Sequence, residues 1–284
     1  MTVALGESLA VIGVALLMRA GLVSFGQGLF SAVGAYAVAY GMRLWGIHEA
    51  LLLLAVAVAA STLLAVAIGP LICRYRQIFF AMISLAFSMV LYSILLKFNT
   101  ATGGSDGMEV TAATVLGYHA AAKALAGVYY YLTLACFGVA LFATAAYYAS
   151  PAGYLARAVR DNEIRLEYLG ASVSRETFRA YIFAAALTGL SGGLFALAVG
   201  HVSPTLAYWT KSGEFLFAAL LGGTSSPIAP VVGTVVFESL NSYLSAYLPN
   251  VWQMALGAIM LAIILLMPRG LWSLYERFSA RHAA

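Results

Sequence analysis

The sequence predicts an all-α, polytopic integral membrane protein with eight or nine transmembrane helices. Hydrophobic residues make up 63% of the 284 positions and charged residues only 9%, whereas roughly a quarter of the residues in a soluble domain are charged. The apolar residues also recur in runs close to the length of a bilayer crossing. We therefore expect residues 1–284 to form a single transmembrane domain.

Nine apolar segments follow one another along the chain, and each is a candidate helix. They lie near residues 8–23, 25–45, 50–73, 78–98, 125–149, 181–200, 212–226, 230–247 and 250–267. Residues 25–45 are rich in glycine, and residues 212–230 are interrupted by Gly222, Gly223 and two prolines. Either stretch is a broken or re-entrant helix, which a membrane tolerates only where protein or water satisfies the freed backbone groups, or an ordinary hairpin turn.

The basic residues predict the orientation of these helices. With nine crossings, eleven arginines fall on one side of the membrane, and only Arg43, Lys97, Lys123 and Lys211 fall on the other. Since positively charged loops stay in the cytoplasm, we place residues 150–180 and the C-terminal tail there. Residues 99–124 and the N-terminus are then expected outside.

The loop 150–180 contains one amphipathic helix, predicted near residues 156–169. Its apolar stripe and its polar rim follow helical spacing. The stripe is Leu155, Val159, Leu166 and Leu169, and the rim includes Arg160, Asp161, Asn162 and Glu163. The helix either lies on the lipid surface or docks a cytoplasmic partner. Because a membrane-surface helix usually carries a mainly basic polar face, its mixture of acids and arginines favours docking.

Glu238 stands out because a carboxylate within an apolar run costs about 2.5 to 3.5 kcal/mol on insertion scales. It must find a partner, water or a proton, so it is either part of a translocation path or a structural partner of a neighbouring helix. Ser24, Gln27, Gly222 and Gly223 are the other candidates for that path, since they lie at the two possible breaks.

Enzymatic chemistry is not indicated. The chain contains no Gly-Lys-Ser or Gly-Lys-Thr sequence, so it lacks the loop with which many ATPases hold phosphate. The four histidines lie far apart without metal-ligand spacing, and the net charge of +4 is spread over short connections rather than gathered in a nucleic-acid patch. We expect no cofactor, no metal and no nucleic-acid partner for this chain.

Several short motifs together resemble the LivM-type permease subunits of branched-chain amino acid ABC transporters. In chain order they are Ser24-Phe25-Gly26-Gln27-Gly28, Gly34-Ala35-Tyr36, Thr102-Gly103-Gly104-Ser105-Asp106-Gly107, Ala158-Val159-Arg160-Asp161-Asn162-Glu163, Leu190-Ser191-Gly192-Gly193-Leu194, Gly222-Gly223-Thr224 and Pro268-Arg269-Gly270-Leu271. Each motif alone is weak, but their order and spacing are specific.

The resemblance implies an inner-membrane importer with several partners. This subunit would pair with a paralogous permease, two cytoplasmic subunits would bind ATP and Mg²⁺, and a periplasmic solute-binding protein would deliver the ligand. The helix near residues 156–169 would then contact an ATPase. Thr102, Gly103, Gly104 and Asp106 would lie in a flexible outer loop that meets the receptor, with a simple turn as the alternative.

Two other functions remain open at this point. An ion-coupled secondary transporter would need ionisable groups inside the membrane, and the predicted spans offer few besides Glu238 and Arg19. A channel-like membrane subunit would not explain a docking helix. The substrate is equally open, since similar permeases serve branched-chain amino acids and other small solutes such as urea or amides.

Overall fold

The computed structural model describes residues 2–115, 117, 122–249, 251–267 and 270–273, and it is a bundle of α-helices. Each of the nine apolar segments carries one long helix. These helices are α1 (Thr2–Arg19), α2 (Gln27–Trp45), α3 (Ala50–Ile72), α4 (Gln77–Lys97), α6 (Ala122–Ala149), α9 (Val173–Val199), α10 (Trp209–Gly222), α11 (Ala229–Tyr247) and α12 (Trp252–Leu266). Three short helices lie between them: α5 (Asn99–Thr102), α7 (Pro151–Asp161) and α8 (Glu163–Tyr168).

Five of these helices, in the described part of the chain, are long and apolar enough to cross a membrane: α1, α3, α4, α6 and α9. The multi-pass, all-α class is therefore confirmed. The number of crossings stays a prediction, because α10 has only 14 residues and would span about 21 Å, less than the hydrocarbon core of a typical bilayer.

Helix α9 lies at the centre of the bundle, and small residues let three helices approach it closely. A Cβ on Gly13 would meet the Ala184 carbonyl of α9, so α1 packs directly on α9. A Cβ on Gly34 of α2 would collide with Gly189, and one on Gly189 would collide with Ser61 of α3. Gly189 is thus in close contact with two neighbouring helices at once.

The glycine-rich stretch 25–45 contains no break within its helix, since α2 runs without interruption from Gln27 to Trp45, and the chain is non-helical only just before it. Residues 20–26 are not helical, and Gly21 has a φ of 77°, which is a conformation that glycine adopts easily. Helix α2 begins only at Gln27, whose side chain is already buried against Thr188 in the second half of α9. The chain therefore enters the bundle in a non-helical form before α2 starts.

The second predicted break is an ordinary helix hairpin instead. Helix α10 ends at Gly222 and α11 begins at Ala229. The two helices cross closely because Gly222 leaves no room for a Cβ beside Ala229, and Gly233 leaves none beside Ala218. A broken segment that the sequence did not indicate precedes α10: Pro204–Ala207 forms a 3₁₀ turn, and the Ser88 hydroxyl of α4 donates to the Ala207 carbonyl at 2.8 Å.

The predicted loop boundaries need two corrections. Residues 173–180 belong to α9 rather than to the loop 150–180, because Ser172 caps the start of α9 by accepting from the Arg175 amide. The outer loop 99–124 ends where α6 begins at Ala122. Part of it forms strand β1 (Met108–Glu109), which pairs antiparallel with β2 (His201–Val202) at the end of α9.

Candidate functional site

A polar seat surrounds the start of α2. Ser24 and Gln27 are both fully buried. The Gln27 carbonyl oxygen accepts from the Thr188 hydroxyl at 2.7 Å, and the Gly28 amide donates to the Ser212 hydroxyl at 2.8 Å. The Phe25 amide donates to the Ser84 hydroxyl at 3.1 Å. Side chains of α4 and α10 thus accept from backbone amides at the start of α2, while α9 holds the side chain of Gln27.

A cluster of charges adjoins this seat, since Lys211 directly precedes Ser212 on α10. The Lys211 ammonium lies 2.9 Å from a Glu7 oxygen and 2.9 Å from a Glu214 oxygen. Glu238 of α11 is close enough to Glu7, Lys211 and Glu214 to interact electrostatically with each of them. The cluster therefore joins α1, α10 and α11 through three carboxyl groups and one ammonium group.

The charged partner that Glu238 requires thus lies inside the bundle, and the sequence analysis did not predict it there. Lys211 was expected in an outer loop, yet only 19% of its side chain is exposed. Glu7 is 5% exposed and lies inside α1, which begins at Thr2. The first apolar segment was predicted to begin at residue 8, so Glu7 was not recognised as a carboxylate within a helix.

The five predicted path residues are not brought to one place. Ser24 and Gln27 share the polar seat, and Glu238 lies in the neighbouring charge cluster. Gly222 packs at the crossing of α10 with α11, and Gly223 lines a cavity at the Arg19 end of α1.

The segment predicted to be cytoplasmic consists of two short helices rather than the single helix predicted near residues 156–169. Asn162 interrupts it, because this residue is extended and its side-chain oxygen caps α8 by accepting from the Arg165 amide at 2.9 Å. Ser150 caps α7 in the same way. Glu163, at the start of α8, pairs with Arg76 at 3.5 Å and so attaches α8 to the α3–α4 turn.

The predicted role of the apolar stripe also needs correction, because most of its side chains pack against other residues of this chain. Val159 and Leu166 are buried at 2% and 3% exposure and pack together with Val173 of α9. Leu155 is half-buried against the same group. Leu169, by contrast, is 78% exposed and joins Tyr154, Ile164 and Tyr168 among the large apolar side chains that this chain leaves uncovered. Arg160 and Asp161 are exposed as well.

The predicted receptor-facing loop is a compact turn. The Thr102 hydroxyl is buried and bonds to the Leu95 and Phe98 carbonyls of α4. Gly103 and Gly104 both have positive φ angles, and a Cβ on either would collide with the turn itself. Of the four residues predicted here, Asp106 is the one that is fully exposed. Pro268 and Arg269 of the last motif, and the tail 274–284, lie outside the described residues.

Among the residues that the structure describes, no group of His, Cys, Asp and Glu side chains has the arrangement of a metal site.

Comparison with known proteins gives a match over nearly the whole chain. The profile of a family described as branched-chain amino acid transport system / permease component matches residues 1–265. Two similar proteins, from Salmonella typhimurium and Escherichia coli, are named high-affinity branched-chain amino acid transport system permease protein LivM. Each is 27% identical over 278 residues, which cover 88% of this chain and 64% of that relative. The chain thus spans just under two thirds of their length, and no solved structure matches it.

Proposed function

Because this chain belongs to the family of branched-chain amino acid transport permease components, we propose that it is a permease subunit of an ATP-driven importer in the inner membrane. The family match across residues 1–265, on a multi-pass helical bundle, is the observation that carries this proposal. A paralogous permease, two cytoplasmic ATP-binding subunits and a periplasmic solute-binding protein would complete the complex. ATP and Mg²⁺ would be bound by the ATP-binding subunits.

The α7–α8 pair is the proposed contact with an ATP-binding subunit. This pair leaves four large apolar side chains exposed, namely Tyr154, Ile164, Tyr168 and Leu169, and it also exposes the charged residues Arg160 and Asp161. Exposed apolar side chains next to polar ones are typical of a protein interface. Val159, Leu166 and the Glu163–Arg76 pair support this surface from beneath by attaching it to α9 and to the α3–α4 turn.

Branched-chain amino acids, or a related small polar solute, are the proposed cargo. This substrate class is that of the two relatives, which are named as branched-chain amino acid transport permease proteins. On the opposite end of the bundle, the turn at Asp106 is the proposed contact with the solute-binding protein, because its exposed side chains stand on a rigid β1–β2 support.

Co-purification and uptake test the proposal together. The tagged chain is expressed with its candidate partners, and both ATPase retention and uptake of labelled leucine into proteoliposomes are measured. We expect uptake to require ATP and every partner, and the isolated chain to hydrolyse no ATP. Robust hydrolysis by the isolated chain, or uptake without an ATPase, would contradict the proposal.

Ion-coupled transport is the second candidate, and the Glu7–Lys211–Glu214–Glu238 cluster is the observation that favours it. Carboxyl groups that share one buried ammonium are suited to take up and release a proton. Addition of a protonophore separates the two candidates, since it would abolish ion-coupled uptake in ATP-free vesicles and leave ATP-driven uptake intact.

A further inference from the structure

A basic cavity of about 720 Å³ opens at the end of the bundle where α1 meets α7. Arg19, Arg157 and Arg160 all line it, while Asp161 is the single acidic residue of the lining. The cavity therefore carries an excess of two positive charges. Hydroxyl groups of Thr224, Ser225 and Ser273 complete the polar part of its wall.

Arg19 is held in place at the wall of the cavity by two contacts. Its guanidinium lies 4.0 Å from the centre of the Tyr148 ring, and one of its terminal nitrogens donates to the Ser225 carbonyl at 3.4 Å. Its Nε is buried and has no hydrogen-bond partner among the described residues. The Arg19 guanidinium is therefore fixed at the wall of the cavity, where its positive charge favours an anion.

An apolar groove of about 560 Å³ runs beside the cavity, between the non-helical segment 20–26 and α4. Gly21 and Val23 line both spaces, so the two are contiguous. The groove wall on α4 includes Ile78 and Met82, which are 71% and 61% exposed at the start of a membrane-spanning helix. The groove therefore faces the lipid, and the cavity lies at its basic end.

We propose that the cavity and the groove together bind one anionic phospholipid from the leaflet on the α7 side. Its phosphate lies against the arginines, whose planar donors match phosphate oxygens, and one acyl chain occupies the groove. Basic pockets between transmembrane helices are known to take anionic headgroups. A soluble anion would leave the groove without a function, and an acidic protein segment would not need an apolar wall that faces lipid.

The bound lipid would support the joint between α1 and the cytoplasmic helices. A Cβ on Gly21 would lie only 3.3 Å from Arg160, so the segment that lines the groove directly touches the helix that lines the cavity. A lipid bound at this site would therefore stabilise the contact between α7 and the non-helical segment 20–26.

Native mass spectrometry of the full chain, released from mixed phosphatidylglycerol and phosphatidylcholine bilayers, tests the site. The Arg157→Gln/Arg160→Gln variant removes headgroup contacts, with Arg43→Gln, an exposed arginine elsewhere, as its control. Ala81→Trp fills the groove, with Val139→Trp on the exposed surface of α6 as its control. Thermal unfolding of each variant checks that the bundle is intact.

We expect the unmodified chain and both controls to retain phosphatidylglycerol in preference to phosphatidylcholine. The double arginine variant should lose that preference by roughly tenfold, and Ala81→Trp should lower retention of both lipids. Unchanged retention in the arginine variant would overturn the proposal. The proposal would also be overturned if glycerol phosphate displaced phosphatidylglycerol while Ala81→Trp had no effect on retention. That result would indicate that the cavity binds a soluble anion. A third contrary result is loss of the lipid when the complex assembles, together with a cross-link from Ala81 or Arg157 to the partner permease or to an ATP-binding subunit. That result would identify the site as a protein interface.

Discussion

Lys211 compensates two carboxylates where water is scarce. Its ammonium lies at 2.9 Å from both Glu7 and Glu214, and Glu238 adds a third carboxyl group nearby. An ammonium group in this position stabilises the fold less by its own attraction than by preventing the carboxylates from being buried without a countercharge.

Lys211→Met should therefore destabilise the bundle by about 3 to 5 kcal/mol, which is typical of breaking a buried pair. The measurement is the thermal unfolding midpoint in detergent. Lys97→Met, at an exposed lysine on α4, is the matched control and should change little. Adding Glu7→Gln to Lys211→Met should restore part of the loss, and a double variant no more stable than the single one would refute the assigned pairing.

Val159 and Ile164 allow the packing of α7 and α8 to be tested apart from their proposed docking surface. Val159 is 2% exposed and packs inside the chain, whereas Ile164 is 67% exposed. Val159→Asp places a charge against Leu166 and Val173 and should lower the unfolding midpoint of the isolated chain. Ile164→Asp should leave that midpoint unchanged and weaken ATPase retention on the order of tenfold, as hot-spot residues do.

Thermal unfolding of the isolated chain and ATPase co-purification are measured for both variants. If Ile164→Asp retains the ATPase fully, the exposed surface of α7 and α8 is not the docking surface.

At the scale of elements, close helix crossings define the bundle. Helices α1, α2 and α3 reach α9 through Gly13, Gly34 and Gly189, where backbone lies directly against backbone or a small side chain. Sequence patterns found all nine long helices because apolar runs reveal them. The same patterns could not show which glycines face another helix, since the apolar residues surround each helix and leave no single buried stripe.

Gly34→Ala should destabilise the bundle by about 1 to 3 kcal/mol, the usual cost of overpacking, because its Cβ would collide with Gly189. The matched control is Gly138→Ala on α6, where a new Cβ meets nothing within 4 Å. That control should be neutral or slightly stabilising, since alanine favours helices over glycine. Equal unfolding midpoints for the two variants would contradict the observed crossing of α2 with α9.

Breaks and caps were the least predictable elements. The glycine-rich stretch 25–45 was compatible with a broken helix or with a turn, but α2 is continuous from Gln27 to Trp45 and the non-helical residues 20–26 precede it. The turn at Pro204–Ala207 gave no comparable signal, because it depends on a distant hydroxyl, Ser88, that satisfies its backbone. The interruption at Asn162 was missed for a different reason: helical spacing of apolar residues continues across it, while the capping side chain decides the local structure.

For the whole molecule, the arrangement of basic residues predicts that the α7–α8 end faces the cytoplasm. Arg160 and Asp106 are both exposed and lie at opposite ends of the predicted topology. The charge clusters and cavities depend on contacts between distant segments, so composition could predict the membrane class but not which ionisable groups meet.

Single cysteines at positions 160 and 106 test this orientation in intact cells and in permeabilised cells. The background replaces Cys73 and Cys136, the two free cysteines, with alanine. A membrane-impermeant maleimide should label position 106 from outside and position 160 only after permeabilisation. Labelling of position 160 in intact cells would reverse the assigned topology.

Helix α9 connects the two ends of the molecule as one continuous rod. Its 27 residues extend about 40 Å. Val173 at its first turn packs under α7 and α8, while β2, two residues beyond its last turn, pairs with β1 of the opposite loop. A tilt of the rod must therefore displace both ends together. Information can pass between the two faces of the membrane as a single mechanical movement, without a relay of intermediate side chains.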